Sequence, residues 1–236
     1  MDAIGTDLRG SASRQEIAYP PAPWQLTGQL YGSIWPVPFK AFRAELPPDF
    51  EPLVGLGWVG PFAGFVDYQE GSTLRYHELI AGVLVRLKGS WRYAFTVTHM
   101  WVDNEASKWG GRELWGVPKE LADFDFTYGR ANRDFEGEAR TGHGRLATGN
   151  FRSVTGLPSR ISLPTIWPNL QMLRGQPHQS SGTFWSRLQL CRGGMEVPAE
   201  SPLAALGIAG RQPLVSFAGL NFRMNLQAAK PVHRTP

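Results

Sequence analysis

Cysteine occurs once in this chain of 236 residues, as Cys191, so no disulfide can form within it. The framework of a small secreted protein is excluded, and a reducing, cytoplasmic setting is expected. No apolar run approaches the roughly 18 residues of a membrane-spanning helix, and no membrane partner is expected. The opening run MDAIGTDLRGSASRQEIAYPPAP carries acidic residues early and no apolar stretch, so neither a secretory leader nor an anchor is expected there. A basic stripe is missing too: 24 Lys and Arg against 20 Asp and Glu leave a net charge of +4, with the basic residues scattered singly. That pattern argues against a nucleic-acid partner. His77 and His99 have no further His, Cys or paired carboxylate at ligand spacing, so no metal is expected. GLGWVG, residues 55–60, has neither the dinucleotide spacing nor the lysine of a phosphate loop, and no nucleophile elbow is present. No cofactor is expected, and a serine hydrolase is disfavoured.

What is plentiful is glycine (27), proline (19) and aromatic side chains (13 Phe, nine Trp, six Tyr). This composition suits strands and turns better than a helix bundle, so a mainly β chain of α+β class is expected. A β-rich chain of this length is commonly one domain. The expectation is a single domain over residues 20–228, after a flexible start at 1–19 and before a polar tail at 229–236. Residues 38–47, PFKAFRAELP, place Phe39, Phe42 and Leu46 at helical spacing and read as a short amphipathic helix. Residues 79–102 read as a hairpin that turns at Lys88, Gly89 and Ser90. By the period of two, Trp91, Tyr93, Phe95, Val97, His99 and Trp101 share one face of its second strand, and that face can line a core or a cavity. Asp103 reads as the cap of a helix that Gly110 and Gly111 hold to about two turns. DFDFTYG, FEGEAR and GRLATGNFR read as short strands, LPTIWPNLQMLRGQPH as a long loop with a helical turn, and SGTFWSRLQLCR as a strand. Ser201-Pro202 opens a short capped helix. A last strand, LVSFAGLNFRMNL, sets Leu214, Ser216, Ala218, Leu220, Phe222, Met224 and Leu226 on one face.

Lysine is scarce, with five against 19 arginines, which makes each one worth placing. Lys40, Lys88 and Lys230 fall on a helix, a hairpin tip and a tail, where solvent explains them. Lys119 sits among Trp115, Val117, Pro118 and Leu121, and Gly116 with Pro118 puts it on a turn entering a strand. Burial there would lower an ammonium pKa and free a neutral amine able to attack a carbonyl, but from the pattern alone a surface turn lysine is the stronger reading. Glu78, in RYHEL at the mouth of an apolar strand, is either an edge charge or a partly buried carboxylate that moves a proton.

Residues 102–122, VDNEASKWGGRELWGVPKELA, resemble the acetoacetate decarboxylase family, whose signature is an acidic-Asn-Glu segment, Gly-Arg-Glu-Leu, and then Pro-Lys-Lys-Leu. Tyr76-His77-Glu78 resembles the family's Tyr-x-Glu. With the N-terminal PP-x-P and the Glu45-Leu46-Pro47 that ends the expected helix, the likeness extends over most of residues 18–150. The resemblance implies an antiparallel, cone-like β-barrel with a few peripheral helices, assembled as a homo-oligomer. It implies Lys119 as a nucleophile that forms a Schiff base with a small-molecule keto substrate, and Glu78 as the carboxylate beside it. Acetoacetate decarboxylase is itself a standing example of an activated lysine. The activity implied first is decarboxylation of a β-keto acid. Alternatives are a lysine-dependent aldolase, dehydratase or cyclase on a larger apolar keto compound, or a non-catalytic binder of a small apolar ligand.

Two departures shape these expectations. The family's second lysine is replaced by Glu120, and no basic residue lies in residues 25–33, where the family's decarboxylases have an arginine. Arg75, Arg92 or Arg112 could stand in as a counter-ion. Tyr76 and Glu120 join them as candidates for orienting substrate.

Overall fold

The computed structural model describes residues 17–91, 93–129, 132–154 and 162–232, without the side chains of 162–167. Glycine and proline punctuate the chain into β1 (Trp24–Ile34), β2 (Val37–Pro38), β3 (Phe50–Pro52), β4 (Trp58–Val59), β5 (Phe62–Tyr68), β6 (Tyr76–Leu87) and β7 (Tyr93–Val102). One helix follows, α1 (Glu105–Trp115), and then β8 (Lys119–Leu121), β9 (Asp123–Tyr128), β10 (Asp134–Thr141) and β11 (Gly144–Ser153). The chain closes with β12 (Ser162–Leu173), β13 (Gln176–Glu196), β14 (Val215–Leu226) and β15 (Lys230–Pro231). No helix among the described residues is long and apolar enough to cross a membrane.

Thirteen strands form one sheet, in the order β12-β7-β6-β5-β1-β14-β13-β11-β10-β9, with β3, β8 and β15 paired off this path. Because β12 also pairs with β13, the first seven strands of that order close into a ring. The sheet is mixed rather than wholly antiparallel: β7 runs parallel to both β12 and β8. The parallel step to β8 exists because α1 carries the chain back to the start of a strand that must run beside β7, the crossover a parallel pair requires.

Two bulges decide which side chains enter the ring. On β7, Ala81 pairs with His99 but Gly82 pairs with Val97, so Thr98 is the extra residue and the alternation flips there. Phe95, Val97, Met100 and Val102 consequently join one apolar cluster, while Ala94 and Trp101 join the other. The single aromatic face expected for this strand is therefore divided, and Trp91 at its start is exposed. On β14 the same happens at Asn221, whose φ is +48°. Phe222, Met224 and Leu226 turn toward the ring interior, whereas Ala218 and Leu220 pack in the outer cluster. Gln29 holds this bulge: its amide donates to the Asn221 side-chain oxygen at 2.9 Å and accepts from the Asn221 backbone N–H at 2.9 Å. Hydrogen bonds of this kind offset the cost of removing the amide from water.

Outside the ring, β9, β10 and β11 cover one wall with aromatics. Tyr31 stacks on Phe135 with centroids 4.1 Å apart, and Phe65 packs edge-on against Phe126. Each such pair adds about 1 kcal/mol beyond its buried area.

Several local expectations are corrected. Residues 38–47 hold only a single tight turn at Phe39–Ala41, because the chain turns extended at Phe42 and the Arg43 N–H donates to the Ala205 carbonyl at 2.7 Å instead of continuing a helix. α1 runs for 11 residues through Gly110 and Gly111, and its cap is Asn104, not Asp103. The stretch read as a loop after residue 157 is, from Ser162, a strand. Its prolines are tolerated because β12 bonds fully to β13 but meets β7 only at Asn169. The tail is not wholly free: Lys230 and Pro231 pair with Gln179 and His178. Residues 1–16, at the start expected to be flexible, lie outside the described residues.

Candidate functional site

α1 and β8 bring Lys119 to the ring. Asn104 accepts from the Ser107 N–H at 2.9 Å and starts the helix; Gly116, at φ +69°, ends it in the left-handed conformation. Val117 and Pro118 then lead into β8, whose first residue, Lys119, pairs with Met100 of β7. The two mid-helix glycines have a packing reason. A Cβ at Gly110 would stand 2.7 Å from the Trp24 ring, and one at Gly111 would stand 2.6 Å from Cδ of Lys119. The helix can lie against the lysine stem only because these positions carry no side chain.

Lys119 is 4% exposed and Glu78 is 2% exposed. The lysine Nζ lies 3.0 Å from Glu78 Oε2 and donates to Ser107 Oγ at 2.8 Å and Tyr76 Oη at 3.2 Å. The Tyr76 ring also lies under the ammonium, 4.7 Å from its centroid. The second carboxylate oxygen of Glu78 accepts from Tyr68 Oη at 3.0 Å. Alternation along β6 puts Tyr76 and Glu78 on the inner face, and the Tyr68–Tyr76 cross-strand pair sets the two phenols side by side.

Burial pulls the Lys119 pKa down, as its apolar flanks suggest. The Glu78 carboxylate and Tyr76 more than offset that pull, and the net shift is upward. The two groups stand at ion-pair distance, so burial alone does not set the charge of the lysine. Burial and the neighbouring carboxylate likewise raise the Tyr68 phenol, which stays a proton donor at neutral pH.

These groups open onto a cavity of about 370 Å³ inside the ring. Trp24, Phe62, Val66, Met100, Phe184 and Phe222 are among its apolar walls. Two of its polar wall residues, Asn169 and Ser186, stand outside the lysine cluster.

The structure thus brings together Lys119, Glu78 and Tyr76, and adds Ser107 and Tyr68, which the sequence reading missed. Ser107 lay unremarked within the family-like segment. Tyr68 had no signal of its own, since only the strand register places it opposite Tyr76. The remaining candidates stand elsewhere. Glu120 follows Lys119 on the opposite face of β8, is exposed, and pairs with Arg112. Arg112 lies outside the cavity, where its Nε donates to the Lys119 carbonyl oxygen at 2.7 Å, so it holds the strand rather than a ligand. Arg75 is exposed and does not line the cavity. Arg92 lies outside the described residues.

Residues 10–196 match the family model described as acetoacetate decarboxylase. No curated protein sequence matches the chain. Among solved structures, the acetoacetate decarboxylase from Legionella pneumophila is similar at a TM-score of 0.69 and 20% identity, covering 99% of this chain and 98% of that one. The enduracididine biosynthesis enzyme MppR, complexed with pyruvate, is similar at 0.63 and 16%, covering 99% of both chains. An acetoacetate decarboxylase-like enzyme from Sphingomonas wittichii RW1 is similar at 0.63 and 12%, covering 90% of this chain and 93% of that one. At these identities the likeness is one of fold.

Proposed function

Because this chain belongs to the acetoacetate decarboxylase family, we propose that it is a lyase whose Lys119 forms a Schiff base with a keto substrate. One observation carries this reading: a buried lysine, paired with a carboxylate at 3.0 Å, faces a cavity large enough for a small molecule. The closed ring of strands is the cone-like barrel of that reading, residues 20–228 form its single domain, and a homo-oligomer is its expected assembly.

The steps follow from the cluster. Glu78 takes a proton from the Lys119 ammonium, and the amine attacks the ketone carbon. The carbonyl oxygen accepts the proton held by Glu78, giving a carbinolamine. Glu78 then takes a second proton from the nitrogen and passes it to that oxygen, which leaves as water and gives an iminium. A bond one carbon further from the nitrogen then breaks, and its electron pair enters the iminium to give an enamine. The departing piece is carbon dioxide from a β-keto acid, or an aldehyde from a β-hydroxy ketone whose hydroxyl proton passes to Glu78. Glu78, carrying the hydroxyl proton in the aldehyde case or one taken up from solvent in the carbon dioxide case, next protonates the enamine carbon, and water returns the free lysine. Tyr68 donates to the second Glu78 oxygen and keeps the carboxylate oriented throughout.

The test is borohydride reduction in the presence of a ketone panel, followed by peptide mapping. A reduced adduct on Lys119 is expected. An adduct on another lysine, or none with any carbonyl, overturns the proposal.

Two variants probe the surroundings. Gly111→Ala should slow trapping by roughly 100-fold, because its Cβ displaces the lysine stem. The same change should leave helix content intact, since alanine favours a helix over glycine by about 1 kcal/mol. Unaltered trapping would mean that the stem is free to move. Glu120→Gln should leave the pH profile of trapping unchanged, because Glu120 is exposed on the far side of β8. A shifted profile would show that its charge reaches Lys119 after all.

A further inference from the structure

The cavity that receives Lys119 is long, apolar and poor in charge. Its charged wall residues are Lys119 and Glu78, and these neutralise each other. None of the chain's arginines lines it among the described residues. Asn169 and Ser186 can hydrogen-bond a hydroxyl or a second carbonyl, but neither can neutralise an anion.

Register measures the length. Lys119 pairs with Met100 and Asn169 pairs with Phe95, so the two stand five residues apart along β7, one of them the bulged Thr98, roughly 13 Å of strand. The volume of about 370 Å³ equals that of about 12 water molecules, so a substrate as small as acetoacetate would leave most of the apolar wall without a partner. Phe62, Phe184, Phe217 and Phe222 line the same cavity, with the Phe184 and Phe222 rings stacked at 5.2 Å and Phe62 on Phe217 at 6.0 Å.

Charge counting gives the second constraint. Ammonium and carboxylate sum to zero in the free site. A neutral ketone converts the ammonium to an iminium and releases water, so the sum stays at zero. A keto acid adds one negative charge for which the described wall has no cation, and an uncompensated charge in a dry cavity is strongly disfavoured.

We infer that the substrate is a neutral carbonyl compound with an extended apolar body, rather than a small keto acid. This inference rests on the Schiff-base reading of Lys119. It selects, among the leaving pieces above, the aldehyde over carbon dioxide.

The experiment compares four probes in borohydride trapping: acetone, acetoacetate, 2-decanone and 9-oxodecanoate. Half-maximal trapping by 2-decanone is expected at a concentration at least roughly 100-fold below that for acetone, since several methylenes become buried. Each acid should require more than its neutral partner of similar size. If acetoacetate traps at lower concentration than 2-decanone, or 9-oxodecanoate matches it, the inference is overturned while the lysine chemistry stands. If no probe traps, the lysine chemistry fails and the inference is read from binding instead. Trp24 and Trp115 line the cavity and report occupancy by fluorescence. In the unaltered protein, quenching by 2-decanone but not by decanoate supports the inference, and equal or absent quenching overturns it.

Discussion

Lys119→Met should abolish borohydride trapping, lower turnover by about 1000-fold or more, and destabilise the fold by about 3–5 kcal/mol at neutral pH. The activity is lost because the covalent electron sink leaves with the amine. The stability is lost for a separate reason: Glu78, 2% exposed, is left buried without the cation at 3.0 Å that balanced it. Its hydrogen bond from Tyr68 remains but carries no charge. The deficit should shrink in acid, where a protonated carboxyl group has no charge to bury. Adding Glu78→Gln to this variant removes both charges and should bring the stability to within about 1 kcal/mol of wild type, with trapping still absent. Thermal and urea unfolding of the single and double variants would measure this. A double variant no more stable than Lys119→Met would mean that the two side chains are not energetically coupled.

Glu78→Gln alone should move the alkaline rise of trapping to lower pH while reducing turnover by roughly 100-fold or more. Burial lowers the Lys119 pKa, and the carboxylate is the larger of the influences that reverse it. Without that carboxylate, desolvation prevails and the ammonium becomes a stronger acid. Each pKa unit lost raises the neutral amine tenfold at a fixed pH below it. Turnover falls nonetheless, because the group that receives and returns the proton is gone. The pH dependence of trapping, set beside kcat, separates the two effects. A profile that does not move would show that Glu78 does not govern the amine.

The lysine and its carboxylate were legible chiefly through the family-like motifs around them, since local pattern alone favoured a surface turn for Lys119 and an edge charge for Glu78. The flanks of Lys119 showed only the desolvation, because they are near neighbours in sequence. The residue that reverses the shift is 41 positions away, and the register of β6, β7 and β8 sets the distance. Ser107 and Tyr68 escaped for the same reason, as each meets the cluster through a pairing of separate elements.

Sequence by itself determined that this is a strand-rich chain, where the 79–102 hairpin turns, and that Lys119 enters a strand. Those features depend on composition, on the period of two, and on the backbone limits of glycine and proline. Tertiary structure alone decided which faces look into the cavity. An extra residue at Thr98 and a left-handed Asn221 each reverse a strand's alternation, so the divided aromatic face of β7 and the inward Phe222 follow from pairing rather than pattern. Only the assembled ring also decided that the described arginines stand outside the cavity and that Lys119 meets Glu78 at 3.0 Å. Electrostatic interactions depend on distances in space, and strand register, which is a property of two chain segments at once, sets those distances.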